Sequence, residues 1–138
     1  MLDSYLPPAL IHPTNVPVLV LSANDENRGI DQSYLWDNLR GPRFAVNFQG
    51  AEHLTPSDAV WLARGAVKTG TMGPDQVVTA LRQYIAAFLD AALRDYPVDP
   101  MLSGPSPAYP DVVVAEPGKP LFGYTNGHPA PANGLEGR

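Results

Sequence analysis

The chain has 138 residues, 44% of them hydrophobic and 17% charged, and carries a formal net charge of −5. That length holds one ordinary domain. The acidic balance excludes a basic stripe that could follow nucleic-acid phosphates, so no nucleic-acid partner is expected. With no cysteine, the chain has no disulfide framework, no thiolate metal site and no thiol nucleophile.

Residues 1–15 (MLDSYLPPALIHPTN) mix apolar and turn residues without a period, and Pro7, Pro8 and Pro13 block a helix. They read as an irregular lead-in. With neither a basic start nor an apolar centre, they do not read as a secretory signal. The apolar run Val16 to Leu21 spans six residues including a proline, and no apolar run of the sequence approaches the length of about 20 residues that a membrane-spanning helix needs. No membrane span is therefore expected. Because no polar residue alternates within this run, it reads as a strand covered on both faces, as in a parallel sheet.

A polar loop follows, Ser22-Ala-Asn-Asp-Glu-Asn-Arg-Gly29. Open α/β sheets place ligands and catalytic groups in such loops, past the carboxyl ends of their strands. Ile30, Tyr34, Leu35, Trp36 and Leu39 then recur at helical spacing, and Gly41-Pro42 stops the helix. From Arg43 to Gln49, Phe44, Val46 and Phe48 alternate with other residues and predict a second strand. Strand, short helix and strand form a βαβ unit with parallel strands. The loop after the second strand, Gly50-Ala-Glu-His53, should open on the same sheet edge as the first loop.

A helical stretch is expected over 57–66, followed by a Gly/Thr turn at 69–73 with no lysine to make it a phosphate cradle. Pro74 suits a first helical turn. Val77, Val78, Leu81, Tyr84, Ile85, Phe88, Leu89 and Leu93 then form one apolar stripe along a long helix. Residues 97–138 hold nine of the 16 prolines and six of the 12 glycines. They read as an extended tail, in which 111–115 (DVVVA) can form a short edge strand. From Thr125 on the composition predicts disorder.

Of the three histidines, His12 and His128 sit beside prolines and read as surface residues. His53 stands past a strand end, with Glu52 and Asp58 near in sequence and Asp25 and Glu26 on the neighbouring strand's loop. An imidazole in that position can act as a general base if a carboxylate fixes its tautomer; the plainer alternative is a histidine that hydrogen-bonds a turn. Glu52 reads as a solvated neighbour, and Asp58 as a helix N-terminal charge favoured by the dipole. No zinc-binding spacing and no Gly-rich phosphate motif is present, so no cofactor is expected.

The order VPVLVLSANDEN, helix, FAVNFQGAEHLTPSD and long helix resembles the carboxyl-terminal part of α/β-hydrolases. It is most similar to the chlorophyllase-like, dienelactone-hydrolase-like and acetylhydrolase-like serine esterases. The resemblance covers roughly residues 14–94. It implies that His53, in a G-x-x-H loop, is the catalytic histidine. It also implies that the catalytic acid is Asp25 or Glu26: the family's spacing, counted from Pro17, lands on Glu26, and a one-residue deletion lands on Asp25, whose shorter side chain is the commoner partner. The superfamily order is serine, acid, histidine, but none of Ser4, Ser22, Ser33, Ser57, Ser103 and Ser106 lies in G-x-S-x-G.

The expected fold is therefore α/β: the C-terminal part of an α/β-hydrolase, with two parallel core strands, a connecting helix and a long C-terminal helix. Residues 1–15 are the lead-in, 16–96 the hydrolase part, and 97–138 a Pro/Gly-rich, partly disordered tail. The expected function is that of a serine-hydrolase fragment supplying acid and histidine, inactive by itself. Its partner would be the missing N-terminal half or a complementary chain, and the complete enzyme would take a small ester. The alternative is a small non-catalytic α/β interaction module or docking subunit.

Overall fold

Pro17 has no N–H to give to a ladder, and the first strand starts just after it. Here the Val18 N–H donates to the Pro42 carbonyl at 2.9 Å. This strand, β1 (Val18–Ala23), lies two residues later than the apolar run alone predicts, and Val16 is left exposed. The chain is seen in a computed structural model that describes residues 12–23, 36–62, 66, 68–117, 122–125 and 128–131.

β2 (Arg43–Phe48) runs parallel to β1, in register from Val18 opposite Arg43 to Ala23 opposite Phe48. Much of the crossover lies outside the described residues. Its end is helical at 36–38 and packs Trp36 and Leu39 with Val20 and Ala45 on one sheet face. Arg43 holds that end in place: its guanidinium donates to the carbonyls of Trp36 and Leu39 and lies 5.2 Å over the Trp36 ring. On the lead-in side, Thr14 N–H donates to the Asn38 carbonyl at 3.1 Å, and Arg40 N–H donates to the Thr14 carbonyl at 2.8 Å.

The helical stretch expected over 57–66 is seen as α1 (Ala59–Leu62), a single turn among the described residues. α2 (Pro74–Arg94) is the long helix, with Pro74 in its first turn as expected. It buries Val77, Ala80, Leu81 and Tyr84 against Leu19, Leu21, Val46 and Phe48 on the other sheet face. The predicted stripe runs on through Leu89 and Leu93, but these are 42% and 75% exposed. The reason is length: 21 helical residues reach about 31 Å, while a six-residue strand reaches about 20 Å. The last turns of α2 overhang the sheet.

Past α2 the backbone is irregular, as the prolines require, yet it folds back over the core. A 3-10 turn at Pro100–Leu102 buries Leu102, and Tyr109 packs at 6.1 Å from Tyr84, which meets Phe48 edge-on at 6.1 Å. β3 (Val112–Val114) then pairs antiparallel with β2, Phe48 opposite Val112, giving the order β1-β2-β3. The sheet is therefore mixed, with β2 central. Beyond it, β4 (Phe122–Thr125) and β5 (His128–Pro131) pair antiparallel, β5 lying in the stretch whose composition predicts disorder. Prolines fit there because each strand of a two-stranded ribbon has one open edge.

Candidate functional site

Because β1 and β2 are parallel and Ala23 faces Phe48, both carboxyl ends lie at one sheet edge, and the loop carrying His53 leaves from it. Asp25 and Glu26 lie outside the described residues. What is described at the end of β1 is a buried polar contact. Ser22 and Asn47 face each other in register, 3% and 6% exposed. Asn47 Nδ2 donates to Ser22 Oγ at 2.9 Å and to the Ala23 carbonyl at 3.1 Å.

The loop after β2 turns at Gly50, whose φ of 77° is in the left-handed region that favours glycine. Ala51 is buried, and its N–H donates to the Phe48 carbonyl at 3.2 Å. Glu52, His53 and Leu54 are exposed. Thr55 then re-enters the interior with no exposed surface. Its hydroxyl accepts from the Glu52 N–H at 2.9 Å and donates to the Thr69 carbonyl at 3.0 Å. Its own N–H donates to the Glu52 carbonyl at 2.9 Å. Ser57 N–H and Oγ both donate to the Leu54 carbonyl, at 3.0 and 2.7 Å. His53 thus sits at the tip of a loop anchored on both sides.

The support for that loop is the 69–73 turn, which reads in the sequence as a plain connection. Ala51 bridges antiparallel to Gly70, and Met72 N–H donates to the Gly50 carbonyl at 2.9 Å. The backbones approach so closely that a Cβ on Gly70 would stand 2.0 Å from the Gly50 oxygen. The Gly/Thr composition is the one available sequence signal for such an approach.

His12 is exposed in the lead-in, and Asp58 is exposed just before α1. Ser22 is inside β1, Ser57 caps the loop after His53, and Ser103 follows the 3-10 turn. Among the described residues no group of three or more His, Asp or Glu converges as metal ligands would, and no helix is long and apolar enough to cross a membrane.

A solved structure matches this fold. It is a ferulic acid esterase from Streptomyces cinnamoneus, 28% identical, with a TM-score of 0.70; the match covers 83% of this chain and 38% of the esterase. This chain thus spans well under half the length of that enzyme. The structural neighbour is an esterase, and the three-stranded sheet with its packed helix is compatible with part of an α/β fold. No family model matches the chain, and no curated relative does.

Proposed function

We propose that this chain carries the histidine and acid of a serine esterase of the α/β-hydrolase type, with His53 as general base and Asp25, or one place on Glu26, as its carboxylate partner. The observation that carries this reading is the parallel β1/β2 pair, which sends both polar loops from one sheet edge, in a chain similar to a known esterase. The attacking hydroxyl comes from a segment or chain that completes the site, since no serine of these 138 residues lies in G-x-S-x-G. In the completed site, that serine attacks the ester carbonyl and His53 takes its proton. The carboxylate holds the imidazole in the productive tautomer, and His53 returns the proton to the leaving alcohol. The substrate is a small ester; the similarity to a ferulic acid esterase makes an ester of ferulic acid the first to try.

The test is a chimera in which this chain replaces the matching part of that esterase. Hydrolysis of methyl ferulate is expected, with a loss of about a thousandfold or more in kcat for His53→Ala. A folded chimera that hydrolyses no ester, or a His53→Ala chimera as active as its parent, would refute the reading. The isolated chain should take no label from a serine-reactive fluorophosphonate.

A further inference from the structure

His53 and Leu54 stand at the exposed tip of their loop, and the backbone on either side determines where that tip is carried. On the near side Ala51 is buried and bonded to β2. On the far side, beside the two Ser57 bonds to the Leu54 carbonyl, the Thr55 hydroxyl takes the Glu52 N–H and gives its own hydrogen to the Thr69 carbonyl. With the Thr55 N–H on the Glu52 carbonyl, these bonds form a reciprocal bracket whose enclosed residues are His53 and Leu54. Packing alone does not require a hydroxyl here. Valine has the same branched shape and would fill a fully buried position without polar atoms to satisfy.

We propose that Thr55 is a positioning residue for His53: its hydroxyl locks the histidine loop onto the 69–73 turn and thereby fixes where the imidazole stands. The proposal rests on the reading of His53 as the proton acceptor. It adds that the geometry of that acceptor is set through Thr55 and Thr69, and it holds whichever carboxylate pairs with the ring.

The test uses the full 138-residue chain labelled with 15N, and compares Thr55→Val, which keeps the shape and removes both side-chain bonds, with Thr55→Ser, which keeps the bonds. Two signals are read: exchange of the Glu52 amide, and the imidazole resonances of His53. Thr55→Val is expected to speed Glu52 amide exchange at least tenfold and to shift the His53 ring resonances away from their parent positions. Core resonances such as those of Val46 and Val77 should stay in place. Thr55→Ser is expected to restore both signals. Should Thr55→Val not fold, Thr55→Cys, with a thiol that is only a weak donor and acceptor, is read the same way. The proposal is overturned if the His53 resonances stay put when the Thr55 bonds are removed. An Asp25→Asn, Glu26→Gln chain separates this outcome from failure of the functional reading. If neither carboxylate change alters the imidazole tautomer while Thr55→Val still moves the ring, the relay is refuted and the bracket stands.

Discussion

Asn47 donates its side-chain amide to the Ser22 hydroxyl at 2.9 Å and to the Ala23 carbonyl at 3.1 Å, tying the last two residues of β1 to the central strand. Both side chains are buried, so each bond removed leaves a polar group that water cannot reach. Asn47→Ala is expected to destabilise the chain by about 2–3 kcal/mol, since it strips a donor from two buried acceptors and opens a cavity. Ser22→Ala should cost about 1 kcal/mol, because Asn47 keeps its bond to Ala23. Replacing both by valine should cost about 1 kcal/mol, less than Asn47→Ala, because only the Ala23 carbonyl is then left without its donor. Urea midpoints of the four chains provide the check, and a double-valine chain as weak as Asn47→Ala would contradict this account.

Gly70 and Gly50 bring two backbones together behind His53, and both have positive φ, 73° and 77°. Gly70→Ala is expected to cost at least about 2 kcal/mol, combining left-handed strain with a Cβ that meets the Gly50 oxygen. Three residues on, a Cβ at Gly73 would meet nothing within 4 Å. Gly73 is also the N-cap of α2, with no side-chain hydrogen bond there. Gly73→Ser should therefore be stabilising by a few tenths of a kcal/mol, or about neutral. Thermal melts of the two variants should fall on opposite sides of the parent or nearly so.

Tyr84 is fully buried, and its hydroxyl has no hydrogen-bond partner among the described residues. Burial first, and then Tyr109 and Asp99, push its ionisation above the ordinary value of 10.0. The native state thus holds this proton more tightly than the unfolded chain does. Below the unfolded value the group adds no pH dependence; as pH rises past it, the unfolded chain releases the proton first and stability falls. Tyr84→Phe removes the orphaned hydroxyl without opening a cavity, so its stability at neutral pH should equal or exceed the parent's by up to about 1 kcal/mol. It should also flatten the decline above pH 10. A parent whose stability rose between pH 10 and 11 relative to Tyr84→Phe would contradict the assignment.

The elements that depend on side-chain period are legible in the sequence. The unalternating run at Val16–Leu21, the alternation of Phe44, Val46 and Phe48, and the stripe from Val77 to Leu93 mark two strands and a helix, although β1 begins two residues later and Leu89 and Leu93 are exposed. The position of His53 after a strand is legible for the same reason. What escapes is whatever depends on contacts distant in sequence. β3 is three residues long, too short to announce that it pairs antiparallel on β2. Proline fixes φ in the segment after α2 but does nothing to keep Leu102 and Tyr109 out of the core. Thr55 looks like any loop threonine, because its partner, the Thr69 carbonyl, lies 14 residues away.

The choice between Asp25 and Glu26 as the acid is open to kinetics in the esterase chimera. A carboxylate that orients the imidazole must accept from its Nδ1–H; the isosteric amide presents an N–H or a weaker acceptor and favours the wrong tautomer. Removing the true partner should therefore depress kcat by about a thousandfold or more while leaving KM within a few-fold, because the group does not touch the ground-state substrate. A mere neighbour should change little, its charge being solvated and screened. Asp25→Asn is expected to show the large loss and Glu26→Gln a change within about threefold. The reverse pattern would move the acid one residue along the loop, and full activity in both variants would remove the carboxylate from the relay altogether. Glu52→Gln is the control: Glu52 adjoins His53 in sequence and is exposed on the same loop, so a loss there as large as at Asp25 would mean that the imidazole takes its partner from its own loop.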